Sequence, residues 1–305
     1  MRVIVIHNPD AGDEKQPTGD QIVRLIRKAG HKVKYQSSKD KKWKKALKKP
    51  CDIIAVAGGD GIIGKVARRL ITYRIPIAVL PMGTANNIAN TLGVTGKSFE
   101  DLVDGWQTAR CTNFDAGIAK GPWGSRYFIE GFGVGLFAET MFKIENGHHP
   151  HVTRSADPED SLSEALKALK KQLSSYPSKE LTVRLDGQDL SGDYYMLEAM
   201  NIRFIGPNLD LVPGAEINDG LLDVVFVPKD QQAKLSQYIG DRLRGKRSRA
   251  RLKVRQGRHL QVEWASSPIH LDDRPWPQDE NTCPVLSNAI DIKIDPGALV
   301  FLKLK

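Results

Sequence analysis

The sequence predicts an α/β protein of two domains. Three observations predict it. Apolar runs at Arg2–His7, His31–Gln36, Ile53–Ala57 and Ile75–Leu80 alternate with helical patterns, the order of a parallel sheet with crossover helices. Two of these runs stop at glycine-rich turns that open helices, as in Rossmann-like domains. Further on, Glu180–Leu185, Gly192–Asn201 and Leu221–Pro228 follow one another as strands with no helix between them, the mark of an antiparallel β-rich sandwich domain.

The first strand, Arg2–His7, ends in Asn8-Pro9-Asp10-Ala11-Gly12, a turn by composition. Ile22, Leu25, Ile26 and Ala29 are spaced i, i+3, i+4, i+7, so Thr18–Ala29 is expected to be an amphipathic helix ended by Gly30. Lys39–Lys49 carries seven lysines around Trp43, Ala46 and Leu47, which predicts a helix with a basic outer face. That face is either solvated or turned to an anionic surface.

Ile53–Ala57 ends in Gly58-Gly59-Asp60-Gly61, and Ile75–Leu80 ends in Pro81-Met82-Gly83-Thr84. Such turns lie side by side at the carboxyl edge of a parallel sheet. Glycine lets backbone approach a ligand, and N–H groups at a helix start receive an anion. Two adjacent turns of this kind suggest a polyphosphate, hence a nucleotide. Asp60 among those N–H groups would repel phosphate unless a cation bridges them, as the Mg²⁺ of ATP does. The same position also suits a helix N-cap. Thr84 and Asn86 can donate hydrogen bonds to phosphate or base. Ile62, Ile63, Val66, Ala67 and Leu70 give Gly61–Thr72 an apolar helical face.

Phe99–Gln107 reads as a short helix and Thr112–Lys120 as a strand. In Tyr127–Leu136, Gly131, Gly133 and Gly135 suggest close backbone packing or a twisted strand. Asn146–Asp160 reads as a loop, because His148, His149 and His151 lack carboxylate or cysteine partners at metal spacing. Leu162, Ala165, Leu166 and Leu169 mark a helix. Asn218-Asp219-Gly220 is a turn before a strand. Asp241–His259 holds nine Lys or Arg, and from Arg247 to Arg255 they fall mostly at every second position, as on one face of a strand. That row suits phospholipid headgroups. Nucleic acid is not expected, since the chain shows no module signature for it and few aromatics there. Ala289–Ile294 and Ala298–Leu304 read as strands joined by Asp295-Pro296-Gly297.

The chain has 305 residues, enough for two domains. Its net charge of +9 favours anionic partners. Cys51, Cys111 and Cys283 show no metal spacing and fit a reducing compartment. No run reaches the roughly 18 apolar residues of a membrane span. The expectation is a cytoplasmic protein with peripheral membrane contact at most.

These motifs resemble those of the diacylglycerol kinase catalytic-domain family, which includes sphingosine, ceramide and small bacterial lipid kinases. NAD kinases and phosphofructokinases are its distant relatives. The match runs over nearly the whole chain. It rests on Asn8, Pro9 and Gly12, on Gly58–Gly61, on Pro81, Gly83, Thr84 and Asn86, on Asp219-Gly220 with Asp223, and on Asp272 with Pro275. The resemblance implies a nucleotide domain over residues 1–113, completed by a tail at 296–305, and a β-rich domain over 114–295. It places the active site in the cleft between them. It implies an ATP-dependent lipid kinase in which Asn8, Pro9, Gly58, Gly59, Asp60, Gly61, Gly83, Thr84 and Asn86 position ATP. Asp60 acts through Mg²⁺, Asp272 is the general base on the lipid hydroxyl, and Asp219 ligates a structural Mg²⁺. Asp273 is a second candidate base. Ala11, Ile62, Asn87, Glu130, Asp273 and Arg274 depart from the family pattern. They leave open a kinase for another acceptor, or a non-catalytic nucleotide- or lipid-binding relative.

Overall fold

A computed structural model describes residues 1–13, 15–149, 157–246, 248–263, 267–278 and 289–304. Cys283 and His151 lie outside them, as does Arg247 of the basic row. The chain divides into two compact units. Unit 1 comprises Met1–Phe114, Ala156–Pro158 and Gly297–Lys305, and unit 2 comprises Asp115–Ser155 and Glu159–Pro296. The mixed α/β class with an antiparallel sandwich is as the sequence predicts.

Unit 1 is built on β1 (Arg2–His7), β2 (Lys32–Ser37), β3 (Ile53–Gly58) and β4 (Ile77–Pro81), all parallel, in the order β4-β3-β1-β2. Every residue of β3 is buried, which explains why it reads as an unbroken apolar run. Helix α1 (Gly19–Lys28) follows β1; its Thr18 N-cap and Gln21 form a reciprocal capping box. Helix α2 (Asp60–Leu70) follows β3, α3 (Asn87–Leu92) follows β4, and α4 (Phe99–Gly105) comes next. The lysine-rich stretch forms only a six-residue 3₁₀ turn, Trp43–Lys48. Trp43, Ala46 and Leu47 are buried as expected. Their spacing suits a 3₁₀ turn as well as an α-helix.

Unit 2 takes up the chain within β5 (Arg110–Gly121), followed by β6 (Gly124–Phe128), β7 (Gly131–Gly135), α5 (Leu136–Glu145) and α6 (Pro158–Ser175). Strands β8 (Lys179–Leu181), β9 (Val183–Leu185), β10 (Gln188–Asp189), β11 (Gly192–Met200), β12 (Phe204–Ile205), β13 (Leu209–Asp210) and β14 (Leu222–Pro228) come next. Then follow α7 (Gln232–Leu243), β15 (Lys253–Gly257), β16 (His259–Glu263), β17 (Ile269–Leu271), β18 (Arg274–Trp276) and β19 (Ala289–Lys303), whose part from Gly297 onward belongs to unit 1. One antiparallel sheet runs β15-β14-β11-β7-β17-β18. Period-2 alternation divides its side chains. Leu197, Val224, Phe226, Phe132 and Val134 meet Val183, Leu260, Val262, Ile290 and Ile292 of the second sheet. Met196, Met200, Val225 and Val227 meet Leu136, Phe137, Leu166, Leu169, Leu235 and Ile239 of the helices.

Between Glu180 and Pro228 strands follow one another with no helix, as expected; α7 comes after β14, with Leu235, Tyr238 and Ile239 buried at helical spacing. Two expectations for unit 2 are corrected. Glu180–Leu185 is two strands, β8 on β11 and β9 on β16, so the chain changes sheets at Thr182. The basic row is strand only from Lys253, since Asp241 to Leu243 still belong to α7 and 248–252 form no regular element. Among the described residues no helix is long and apolar enough to cross a membrane.

Candidate active site

In unit 1 the chain passes from β1 to β2 on one side and later to β3 and β4 on the other, so the strand order reverses between β1 and β3. In open α/β sheets ligands bind beyond the carboxyl ends of the strands at such a point. Asn8-Pro9 leave β1 there, and Gly58-Gly59 leave β3. The Asn8 N–H donates to the Ala57 carbonyl at 2.9 Å, and the Met82 N–H donates to the Gly58 carbonyl at 3.0 Å. Gly59 and Gly83 touch backbone to backbone. A Cβ on Gly83 would lie 2.4 Å from the Gly59 Cα, and a Cβ on Gly59 would lie 2.9 Å from the Gly83 Cα. The glycines therefore join two loops into one surface. Ile62, where the resemblance has threonine, is buried, and its Cγ2 stands 2.4 Å from where a Gly58 Cβ would be.

Asp60 has a different structural task from the one its position suggests. The N-cap of α2 is Gly59, not Asp60. The Asp60 carboxylate instead accepts the Asn87 N–H at 2.8 Å and the Ile88 N–H at 2.9 Å, so it caps α3. These N–H groups and the positive end of the helix already compensate its charge. A cation is not required to explain a carboxylate there. Asn86 is corrected in the same sense. It is left-handed, at φ 53°, and its side-chain amide accepts the Gly83 N–H at 2.9 Å and donates to the Gly83 carbonyl at 2.6 Å. It shapes the loop before it can touch any ligand. Thr84 is exposed, and among the described residues no acceptor or donor is seen for its hydroxyl.

In unit 2 Asp272 occupies the turn between β17 and β18. It is buried and left-handed, at φ 54°. Its Oδ1 accepts the N–H of Ile129 at 2.8 Å, of Glu130 at 2.8 Å and of Gly131 at 3.4 Å. The Asp272 N–H donates back to the Gly131 carbonyl at 2.8 Å. Three N–H groups on one oxygen form a nest that holds the carboxylate in one place. Asp273 and Arg274 beside it are exposed, so neither shares that nest.

Asp219 lies in the turn before β14, and its Oδ1 accepts the Leu221 N–H at 2.9 Å. The buried Asp115 accepts the Gly220 N–H at 2.7 Å. Burial pushes the Asp223 carboxyl up to about 6; the Gln256 side chain opposes this, and Asp219 and Glu216 add to it. Among the described residues no three His, Cys, Asp or Glu side chains converge as a metal-ligand group. A cation here would rest on Asp219, carbonyl oxygens and water, a shell that Mg²⁺ tolerates.

Two residues beneath Asp272 escape a sequence reading. Glu198 on β11 and His270 on β17 are fully buried and meet at 2.6 Å. The only local signal is a charged residue at a core position of each strand.

The sequence pattern of the diacylglycerol kinase catalytic domain matches residues 2–118. That of the YegS C-terminal NAD kinase beta sandwich-like domain matches residues 144–302. Among curated relatives, the diacylglycerol kinase of Bacillus subtilis is 24% identical over 80% of this chain and 79% of its own. The "Probable lipid kinase YegS-like" of Shewanella frigidimarina is 24% identical over 91% of this chain and 89% of its own. A diacylglycerol kinase crystal structure from Bacillus anthracis shares the fold at TM-score 0.69 and 17% identity, covering 99% of this chain and 96% of that one. Yeast NADH kinase shares it more loosely, at TM-score 0.53 and 10% identity over 100% of this chain and 84% of that one. The chain belongs to the family that joins a diacylglycerol kinase catalytic domain to a YegS C-terminal NAD kinase beta sandwich-like domain.

Proposed function

We propose that the protein is an ATP-dependent lipid kinase that transfers the γ-phosphate to a lipid hydroxyl. The observation that carries this reading is the fused Gly59–Gly83 surface at the reversal point of the parallel sheet, in a chain of this family. Gly58, Gly59 and Gly61 present backbone N–H groups to phosphate, Thr84 adds its hydroxyl, and Asn8 and Pro9 border the nucleotide. Asn86 holds Gly83 in position. Asp272 takes the proton of the acceptor hydroxyl as its oxygen bonds to the γ-phosphorus and the bond to the β-phosphate oxygen breaks, releasing ADP. Mg²⁺ carried by the nucleotide would neutralise phosphate charge, and Asp60 is the residue that would hold it. Asp219 would hold a second, structural Mg²⁺.

The exposed Arg274, two residues from Asp272, favours an acceptor that carries negative charge besides its hydroxyl.

Transfer of labelled γ-phosphate from ATP–Mg²⁺ to a panel of neutral and anionic lipids in micelles tests the reading. Labelled lipid is expected with the wild-type protein. In Asp60→Ala it should fall together with a loss of about 1–2 kcal/mol of stability, because α3 loses its cap. Measurable ATP binding with no labelled lipid from any acceptor would reject the lipid kinase.

Contact with an anionic membrane belongs to the same proposal. Arg249, Arg251, Lys253, Arg255 and Arg258 are exposed, and no ion pair is formed by them among the described residues. No Asp or Glu occurs between Asp241 and Glu263. Replacing Arg249, Arg251 and Lys253 by Glu is expected to abolish sedimentation with phosphatidylglycerol vesicles at low salt. Unchanged sedimentation would remove this surface from the account.

A further inference from the structure

β7 lies between β11 and β17 in the sheet of unit 2. Gly133 is opposite Glu198 on one side and opposite His270 on the other. With no side chain on Gly133, Glu198 and His270 reach across the strand between them. A Cβ there would stand 2.1 Å from Glu198 Oε2. The Phe137 ring of α5 sits edgewise on the imidazole, 5.0 Å between centroids at 88°. The pair is sealed between sheet and helix, with both side chains at 0% exposure.

Hydrogen-bond arithmetic fixes its protons. His270 Nδ1 lies 3.0 Å from the Asp272 carbonyl oxygen. A carbonyl only accepts, so Nδ1 carries a proton. His270 Nε2 lies 2.6 Å from Glu198 Oε2, and two lone pairs cannot face each other at that distance. One further proton therefore sits between them. The pair is neutral as a whole, whether written as acid and imidazole or as carboxylate and imidazolium. Burial disfavours the imidazolium, but the Glu198 carboxylate and the Asp272 carbonyl outweigh it and raise the His270 pKa. Burial likewise raises the Glu198 carboxyl, against the pull of His270.

We propose that His270 and Glu198 are positioning residues for Asp272. Glu198 fixes the His270 tautomer, and the Nδ1–H holds the Asp272 carbonyl. The turn then keeps its left-handed backbone and presents the carboxylate to the N–H groups of residues 129–131. With Glu198 gone, His270 can adopt the other tautomer, whose Nδ1 lone pair repels that carbonyl. This rests on Asp272 being the general base, and the test separates the two.

In wild-type protein with ¹⁵N-labelled histidine, the His270 Nδ1 is expected to stay protonated across pH 5–8. An unprotonated Nδ1 at pH 7 would overturn the proposal without any variant having to fold. Glu198→Ala should lower kcat about 10- to 100-fold, as second-layer partners typically do, with KM for ATP unchanged. It should also speed hydrogen exchange at the amides of Ile129, Glu130 and Gly131. Glu198→Gln should restore most of the turnover, because the amide N–H can donate to Nε2 and keep the proton on Nδ1. A lower melting temperature in Glu198→Ala with wild-type kcat and wild-type exchange at those amides would reduce the pair to a stability element. If Asp272→Asn keeps its turnover while the exchange and tautomer results hold, the base assignment fails and the positioning of the turn stands.

Discussion

Asp272→Asn is expected to lower phosphate transfer about 100- to 10,000-fold, the usual contribution of a positioned base. It should do so with little change in melting temperature. The amide oxygen of asparagine can still accept the Ile129, Glu130 and Gly131 N–H groups that Asp272 now satisfies. Asparagine also tolerates the left-handed backbone at φ 54°. The proton-accepting charge disappears. Asp272→Ala is different: it leaves three buried N–H groups without an acceptor and should cost about 2–4 kcal/mol. The comparison by labelled-phosphate kinetics and thermal melting separates chemistry from folding. Turnover of Asp272→Asn within threefold of wild type would remove Asp272 as base.

Gly83→Ala should have the largest effect in the two glycine loops. Its Cβ would fall 2.4 Å from the Gly59 Cα, a backbone atom that cannot rotate away. The two loops must separate, which is expected to cost about 3 kcal/mol and to abolish ATP binding in calorimetry. Gly214→Ala is the control, because a Cβ there meets nothing within 4 Å. It should leave both stability and ATP binding close to wild type. Gly83→Ala with unchanged ATP affinity would mean that the joined surface does not hold the nucleotide.

The parallel strands of unit 1 were legible because β3 and β4 bury both faces and so become apolar runs, each followed by glycine. The helices α5 and α7 were not. Three alternating glycines before Leu136 continue the reading of a strand, and α7 runs into the basic stretch that begins at Arg242. The glycine loops were legible as turns, yet the partners of Asp60 and Asn86 were not, because a carboxylate does not announce which backbone it will cap. The Glu198–His270 pair was hidden for a further reason: each residue looks misplaced until the glycine between them is seen to leave space.

Sequence alone determined the fold class and the positions of the glycine turns, because periodicity and glycine report local backbone requirements directly. It also carried the family motifs through to Asp272. Tertiary structure alone decided what those residues contact. Gly59 meets Gly83, Asp60 caps α3, Asp272 sits in the N–H groups of residues 129–131, and Glu198 crosses Gly133 to His270. Each of these contacts joins residues far apart in the chain, and only the strand order and register bring them within hydrogen-bond or van der Waals distance.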